Sequence, residues 1–136
     1  MRVVFPDGTR VTASALRTKP DPSVQHEYGL YLDPAWDPPW PADWIDWPDY
    51  GVPSDASSAV TLIEAAFERA QRGVHVEIGC IGGLGRTGTV LACMAVLSGV
   101  PAAEAVCWVR THYDPRAIET EAQAQWIAWF AANRSS

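Results

Sequence analysis

Lysine is nearly absent from the sequence, and acidic side chains outnumber basic ones. Lys19 is the single lysine among ten basic residues, a bias that together with abundant alanine is typical of a GC-rich bacterial genome. With 16 acidic residues the formal net charge is -6, which disfavours binding to nucleic acids or to anionic membranes. It does not exclude an anionic substrate, because one arginine or one helix end acts locally. We therefore expect a bacterial protein that binds neither nucleic acid nor membrane.

The sequence also lacks a long hydrophobic run and an N-terminal leader. No stretch reaches the roughly 18 consecutive apolar residues that would span a bilayer, and no charged segment followed by an apolar one opens the chain. A length of 136 residues with 48% hydrophobic residues fits one domain with a hydrophobic core. We expect a soluble, cytoplasmic monomer in which residues 1–136 form a single domain.

Cysteine is scarce, and its spacing fits neither a disulfide framework nor a zinc site. The three cysteines, Cys80, Cys93 and Cys107, are odd in number and form no C-x2-C pair. A reducing compartment and no bound metal are the simplest expectations. Cys93 and Cys107 lie in apolar helical stretches, so we predict that both pack in the core. A redox partner for Cys80 is left open.

Hydrophobic periodicity and turn residues predict alternating strands and helices. Residues 1–43 contain a hairpin and loops rich in tryptophan and proline, and residues 44–133 contain the motifs described below. The predicted strands cover residues 2–5, 9–13, 29–32 and 74–78, with a further strand ending in 44–47. The predicted helices run from 54 or 55 to 72, from 86 to 97, from 101 to 112 and from 118 to 133, and loops cover 18–25 and 34–41. This alternation indicates an α/β fold.

The segment Gly79–Thr89, GCIGGLGRTGT, combines a cysteine, a glycine-rich loop, an arginine and the start of an apolar helix. A thiol beside an arginine at a helix N-terminus is more acidic than a free thiol, and the thiolate is the nucleophile. Glycines permit positive φ angles and let backbone N–H groups converge on an anion. Arg86 can add a two-point fork that fits a phosphate. We predict that Cys80 is a nucleophile. The oxyanion would be bound by Arg86 and the loop residues Ile81, Gly82, Gly83, Leu84 and Gly85.

A second motif, WPDYGVP over residues 47–53, precedes the first, and its Asp49 lies 31 positions before Cys80. This interval leaves room for one helix and one strand. With both motifs in this order, the chain from residue 44 onward resembles the cysteine-dependent protein tyrosine phosphatases, whose signature is a C-x5-R-[S/T] loop with a mobile Trp-Pro-Asp loop. WPDYGVP is similar to tyrosine-specific members, and GGLGRTGT is similar to dual-specificity and small bacterial members.

The resemblance implies a fold, a reaction and roles for individual residues. The fold would be a central, mostly parallel twisted sheet flanked by helices. Cys80 would attack phosphorus to form a phosphocysteine, Asp49 would protonate the leaving group, and Thr87 would hydrogen-bond the departing thiolate. Gln123 would match the later glutamine of the family's glutamine loop, in which a glutamine positions the hydrolytic water. No metal or organic cofactor would be needed. The substrate would be a phosphorylated protein or peptide, with phosphotyrosine as the first expectation.

Two positions depart from the family pattern. The family usually has a histidine before the nucleophile, where it helps to hold the cysteine, and this sequence has Gly79, which could instead relieve crowding behind the loop. Glu119 stands where tyrosine-specific members often carry the first glutamine of the glutamine loop. The segment Ile118–Gln123 also fits a helix-capping arrangement, with Thr120 near the helix start and Gln123 three residues later.

Several other side chains have two interpretations each. The tryptophans at 36, 40, 44 and 47 could line a phosphotyrosine ring or pack a loop on the sheet; packing is favoured for most, with Trp47 as a hinge anchor. Tyr50 is a candidate substrate contact, and Arg116 could bind acidic residues that flank the phosphorylated residue of a substrate. Glu77, on a predicted strand, is either solvent-facing or hydrogen-bonded, or a carboxylate that orients a loop or an arginine.

Two rival functions stay open at this point. A phosphoinositide phosphatase would usually carry basic residues in the loop, and the five residues between Cys80 and Arg86 are uncharged. A silent phosphotyrosine-binding relative would have lost the acid or the nucleophile, whereas Asp49 and Cys80 are both present. Specificity for tyrosine alone, or also for phosphoserine and phosphothreonine, depends on pocket depth and is left open.

Overall fold

The computed structural model describes residues 1–17, 25–34 and 37–134. Within these ranges, five strands form one sheet in the order β1-β2-β5-β3-β4. The strands are β1 (Arg2–Val4), β2 (Arg10–Ala15), β3 (Tyr28–Tyr31), β4 (Ala42–Trp44) and β5 (Val76–Cys80). β1 and β2 pair antiparallel, and the other three pairings are parallel. The predicted α/β fold with a mostly parallel sheet is therefore confirmed.

Four helices lie in the described part of the chain. They are α1 (Ala56–Gln71), α2 (Gly85–Leu97), α3 (Ala102–His112) and α4 (Glu121–Asn133). α2 contacts β5 and all three other helices, which is why residues 85–96 are buried without interruption. None of the helices in the described ranges is long and apolar enough to cross a bilayer. The central position of α2 fixes its N-terminus directly after the end of β5.

The last helix begins later than the sequence pattern predicts. The pattern extends the helix back to residue 118, but Ile118 has a positive φ of 64°, which no helical residue adopts. Thr120 is extended and caps α4, because its hydroxyl accepts a hydrogen bond from the backbone N of Gln123 at 3.2 Å. The capping interpretation of this segment is therefore confirmed, and the prediction of a helix from residue 118 is wrong.

Other boundaries agree with the predictions to within a few residues. Of the two candidate caps for α1, Asp55 is the one whose side chain accepts a hydrogen bond, from the backbone N of Ser58. The strand predicted over residues 74–78 instead ends on Cys80 itself. Residues 18–24 of the predicted loop, and Trp36 of the tryptophan group, lie outside the described residues.

The two helical cysteines have different environments. Cys93 is fully buried in α2, and burial raises the pKa of its thiol well above its ordinary value. Cys107 is exposed on α3, so the prediction that it packs in the core is wrong. The fully buried residues of α3 are Ala105 and Val109, and position 107 falls on the opposite side of the helix from both.

The face of β5 that is turned away from α2 carries a buried polar cluster around Glu77. Its carboxylate accepts hydrogen bonds from the Tyr31 hydroxyl at 2.6 Å and from the Ser14 hydroxyl at 2.7 Å. His26 Nε2 lies 3.3 Å from the same carboxylate, and the Trp40 indole N–H donates to the Tyr31 hydroxyl at 2.7 Å. Glu77 is therefore a hydrogen-bonded side chain, one of the interpretations left open by the sequence.

Two glycines make room for the Tyr31 ring beside this cluster. In the register of the sheet, Gly29 pairs with Glu77 and Tyr31 pairs with Gly79. A Cβ at Gly29 would overlap Cε2, Cζ and the hydroxyl of Tyr31. A Cβ at Gly79 would lie 2.9 Å from Leu16 Cδ2 and 3.3 Å from Tyr31 Cδ1. The crowding behind the nucleophile that the sequence suggested at Gly79 is therefore present.

We predict that Gly29→Ala lowers the free energy of unfolding by about 1–3 kcal/mol, the usual cost of overpacking a core. The Tyr31 ring is fully buried, and its hydroxyl is bonded to Glu77, so the ring cannot yield without breaking that bond. Gly79→Ala is the matched control and should cost less, because Leu16 is only half-buried and can change rotamer. Urea unfolding followed by circular dichroism measures both. Wild-type stability in Gly29→Ala would contradict the packing described here.

Candidate active site

Cys80 is the last residue of β5, and its sulfur is buried against the start of α2. The residue is 2% exposed. Its Sγ accepts hydrogen bonds from the Gly83 backbone N–H at 3.2 Å and from the Thr87 hydroxyl at 2.9 Å. Both donors stabilise negative charge on the sulfur, and the N-terminal end of α2 adds the positive end of its dipole. Thr87 therefore lies where the predicted hydrogen bond to a thiolate requires it.

The loop between Cys80 and α2 depends on Gly83. Its φ is +69°, and an added Cβ would lie 3.0 Å from the backbone of Ala15 on β2. A larger residue would thus meet both an unfavourable backbone conformation and a steric overlap. The Tyr113 hydroxyl donates a hydrogen bond to the Gly83 carbonyl. The loop is therefore held on one side by the sheet and on the other by the end of α3.

The remaining predicted loop residues differ in exposure. Gly82 and Leu84 are half-buried and Gly85 is buried, whereas the Ile81 side chain is 40% exposed. A Cβ at Gly85 would overlap Oε1 of Glu119. The Glu119 carboxylate therefore lies against the N-terminus of α2, next to the loop.

Arg86 is buried in the first turn of α2, and its guanidinium joins three segments. Nη1 donates to the Leu32 carbonyl at 2.8 Å and to the Trp47 carbonyl at 2.9 Å. Nη2 lies 3.6 Å from Asp33 Oδ2 and 3.7 Å from Asp49 Oδ1. Nε finds no hydrogen-bond partner within the described part of the chain. With Nη1 fixed by two carbonyls, the Nε and Nη2 edge is the side from which Arg86 can bind an oxyanion.

The motif at residues 47–53 forms a tight turn beside Arg86. The Gly51 backbone N–H donates to the Pro48 carbonyl at 2.9 Å, and Tyr50 within this turn has a φ of 60°. The turn presents Asp49, whose side chain is 63% exposed apart from its approach to Arg86. Tyr50 is 60% exposed. The structure thus brings Asp49 to Arg86, in the same first turn of α2 whose Thr87 bonds the Cys80 sulfur.

Trp47 anchors this turn by packing, as expected. It is 3% exposed, and its ring centroid lies 5.4 Å from that of Trp126 on α4. Its indole N–H donates to the Gly51 carbonyl at 2.7 Å. Trp40 is half-buried and hydrogen-bonded to Tyr31, whereas Trp44 is 42% exposed at the end of β4. Packing is therefore confirmed for Trp47 and Trp40 but not for Trp44.

Gln123 is fully buried at the start of α4 and contacts the tight turn that presents Asp49, hereafter called the acid turn. Its Nε2 donates to the Gly51 carbonyl at 3.2 Å, and its Oε1 accepts from the Glu119 backbone N–H at 2.9 Å. The predicted water-positioning role of Gln123 stays a prediction. Arg116 is exposed and forms an ion pair with Asp114 at 3.1 Å, so its proposed contact with an acidic substrate flank also stays a prediction.

The sequence analysis missed two residues of the site, Asp33 and Tyr113. Asp33 is buried and follows β3 at the edge of the sheet where β5 ends, a position at which polar residues of α/β folds commonly function. Burial, then the negative charges of Cys80 and Asp114, raises the pKa of Tyr113 to about 12. Its hydroxyl therefore stays protonated and remains a donor to the loop. Asp33 could have been predicted as a site residue because it follows a buried strand. No comparable sequence pattern marks Tyr113.

The described residues contain no group of three or more His, Cys, Asp or Glu side chains arranged to hold a metal ion. The absence of a metal or organic cofactor from the reaction stays a prediction. The polar groups around the cysteine loop are instead the Gly83 N–H and the Thr87 hydroxyl at Cys80, and the Arg86 guanidinium in the first turn of α2. This set of donors suits a tetrahedral oxyanion.

Known proteins are similar to this chain in sequence. Residues 43–127 match the family described as Swiss Army Knife protein, DSP-PTPase phosphatase domain. The protein MJECL20 of Methanocaldococcus jannaschii is 36% identical over 86 residues, which cover 63% of this chain and 56% of that protein. The chain thus spans about half the length of that relative. Receptor-type tyrosine-protein phosphatase alpha of Homo sapiens is 40% identical over 58 residues, 41% of this chain and 7% of that protein.

A solved structure agrees with the fold and its motifs. The crystal structure of Tk-PTP in the active form superimposes with a TM-score of 0.68 and 26% identity, covering 79% of this chain and 80% of that chain. The family match covers more than half of the chain and includes both the Trp-Pro-Asp turn and the cysteine loop. The chain therefore belongs to the DSP-PTPase phosphatase domains of the cysteine-dependent tyrosine and dual-specificity phosphatase superfamily.

Proposed function

We propose that this protein is a cysteine-dependent phosphatase that hydrolyses phosphotyrosine in proteins through a phosphocysteine intermediate. The observation that carries the proposal is the hydrogen bonding of the Arg86 guanidinium. Its Nη1 is bound by two backbone carbonyls, its Nη2 lies near Asp49, and its buried Nε has no hydrogen-bond partner among the described residues. A buried guanidinium edge in the first turn of α2, the helix whose Thr87 bonds Cys80 Sγ, is suited to hold a phosphate by two parallel hydrogen bonds.

The first step follows from this arrangement. The phosphate oxygens bind the N–H groups of loop residues 81–86 and the Arg86 fork. The Cys80 thiolate attacks phosphorus in line, a P–S bond forms, and the bond to the leaving oxygen breaks with its electron pair. Asp49 donates a proton to that oxygen, which avoids release of a free phenolate. The product is a phosphocysteine, the covalent intermediate of this step.

The second step returns the enzyme to its starting state. Water attacks phosphorus and gives a proton to the Asp49 carboxylate, and the P–S bond breaks with its electron pair on sulfur. The Gly83 N–H and the Thr87 hydroxyl then stabilise the thiolate that is released, through the contacts that they make with Sγ. Gln123 is a candidate to position this water. Inorganic phosphate leaves the loop.

The substrate class is inferred from the rim of the site. The loop side chains are uncharged, and the exposed side chains of Ile81 and Tyr50 offer apolar surface on two segments that flank Cys80. Such surface suits an aromatic ring bearing one phosphate better than the several phosphates of a phosphoinositide. The 40% identity to a receptor-type tyrosine-protein phosphatase supports the same choice. Activity on phosphoserine and phosphothreonine, a cytoplasmic location, a bacterial source and a monomeric state stay predictions.

Loss of the nucleophile gives the direct test of the proposed function. Cys80→Ser should abolish turnover of phosphotyrosine peptide while the protein still binds vanadate or tungstate, because the loop and Arg86 stay in place. Cys107→Ser is the matched control and should keep wild-type turnover, since Cys107 is exposed on α3. Steady-state assays and calorimetry measure the two properties. Substantial turnover by the Cys80→Ser protein would exclude the phosphocysteine mechanism.

The rate loss caused by removing Asp49 should depend on the acidity of the leaving group. We predict that Asp49→Ala lowers kcat/KM for phosphotyrosine, which reports phosphocysteine formation, by about 10²–10⁴-fold. The loss should be much smaller for an aryl phosphate whose phenol is strongly acidic, because that phenolate leaves without protonation. Asp46→Ala, at another exposed aspartate of the same segment, should change neither rate. Equal losses on the two substrates would remove Asp49 from the role of general acid.

A positive charge alone should not substitute for the Arg86 guanidinium. Lysine donates from a single nitrogen and lacks the planar fork, so it cannot hold the Leu32 and Trp47 carbonyls and also bind a phosphate by two parallel hydrogen bonds. Arg86→Lys should therefore lower kcat/KM by about 10²–10³-fold. Arg116→Lys, at an exposed arginine, serves as the control. Thermal unfolding of both variants separates misfolding from lost catalysis. A folded Arg86→Lys protein with near wild-type kcat/KM would show that the two-point geometry is unnecessary.

A further inference from the structure

One backbone carbonyl of the acid turn is held by two buried side chains. The Gly51 carbonyl accepts a hydrogen bond from the Trp47 indole at 2.7 Å and a second from Gln123 Nε2 at 3.2 Å. Trp47 belongs to the turn itself, whereas Gln123 lies 72 positions further along the chain, on α4. Gln123 is therefore a link between the acid turn and a rigid helix.

The orientation of the Gln123 amide follows from its partners. Oε1 accepts from the Glu119 backbone N–H at 2.9 Å, and only a carbonyl oxygen can accept there. The amide nitrogen must then face the Gly51 carbonyl, which can only accept. The backbone of Gln123 is fixed as well, because its N–H donates to the Thr120 hydroxyl that caps α4. The side chain is fully buried and has little freedom to adopt another rotamer.

The linked carbonyl lies at the end of the turn that presents Asp49. The turn closes from the Gly51 N–H to the Pro48 carbonyl, so Asp49 and Tyr50 occupy its centre. On the other side, Arg86 holds the Trp47 carbonyl at 2.9 Å. Asp49 itself is exposed, and its side chain meets only Arg86 Nη2 at 3.7 Å and the backbone N–H of Tyr50 at 3.1 Å within the described residues. Its position is therefore set by the two ends of the turn.

From these contacts we propose that Gln123 is a positioning residue for the general acid: it holds the Gly51 end of the turn and so keeps Asp49 beside Arg86. This inference rests on the proposed phosphatase activity. It makes Gln123 act only through Asp49, which protonates the leaving group in the first step and accepts a proton from water in the second. A glutamine that positions the hydrolytic water would act in the second step, on the phosphocysteine.

The test combines Gln123→Met with two substrates. Methionine fills a similar volume but cannot donate to the Gly51 carbonyl, so it removes the link with little loss of packing. We expect kcat/KM for phosphotyrosine, which reports phosphocysteine formation, to fall about 10-fold, the effect of losing one hydrogen bond that orients the acid. An aryl phosphate with a strongly acidic phenol should lose less than about 2-fold. Gln125→Met is the matched control, because Gln125 is exposed on the same helix and bonds only Glu121 within the described residues.

A double mutant separates positioning from the other possible roles. If Gln123 acts through Asp49, then Gln123→Met adds no further loss in the Asp49→Ala background. A water-positioning role predicts the opposite: a further fall in kcat in that background, and an unchanged kcat/KM on both substrates. Either of those results would overturn the inference. Thermal unfolding checks that the variants fold. If Gln123→Met does not fold, the test is repeated with Gln123→Glu, which keeps the acceptor oxygen but loses the amide donor.

Hydrogen exchange gives a readout that does not depend on activity. The Gly51 N–H, bonded to the Pro48 carbonyl, should exchange faster in Gln123→Met than in wild type or Gln125→Met. Unchanged exchange would show that Gln123 does not hold the turn and would overturn the inference. If the wild-type protein turned over neither substrate, the proposed function would fail, and the exchange result alone would then decide whether Gln123 holds the turn.

Discussion

The buried guanidinium of Arg86 is the contact on which the rest of the site depends. It bonds the carbonyl that follows β3 and the carbonyl of Trp47, so the first turn of α2, the end of the sheet and the acid turn meet at one group. Burying a cation is costly unless it is well paired. Here the two carbonyls, with Asp33 at 3.6 Å and Asp49 at 3.7 Å, offset that cost. The same pairing fixes the plane of the guanidinium, so a phosphate would meet an edge that is already oriented.

The acid turn combines fixed ends with an exposed centre. Its ends are held by a few neutral hydrogen bonds, each worth about 1 kcal/mol, and by the contact of the Trp47 ring with Trp126. Bonds of this strength can break and reform, which the proposed reaction would require of the turn if it opens to admit substrate and release product. The cysteine loop is held differently, by the sheet at Gly83 and by the end of α3 through Tyr113. Rigidity is thus concentrated where the phosphate would bind.

The sequence predicts the local parts of this site but not its long-range contacts. Cys80, Arg86 and Thr87 share one segment whose loop and helix follow from glycine content and periodicity, and Asp49 is found through a second short motif. Tyr113 and the Gly51–Gln123 link escape because they depend on which strands and helices become neighbours, and no periodicity encodes that. Asp33 was overlooked although it directly follows a predicted strand. Cys107 was assigned to the core for a related reason: the apolar composition of α3 does not reveal which side of the helix faces α2. The start of α4 was missed because the positive φ of Ile118 has no signal in an isoleucine.

The glycine before the nucleophile and the tyrosine on the neighbouring strand depend on each other. Members of the family usually carry a histidine at this position, but the space beside Gly79 is occupied by Leu16 and by the Tyr31 ring. A histidine would have to displace both. Tyr31 is in turn fixed by Glu77 and by the Trp40 indole, so a buried polar cluster supports the strand from the face opposite to Cys80. On the face of Cys80, the sulfur keeps two direct donors, the Gly83 N–H and the Thr87 hydroxyl. The chain therefore supports its nucleophile strand without an imidazole, by a packed tyrosine that leaves little room for a side chain at position 79.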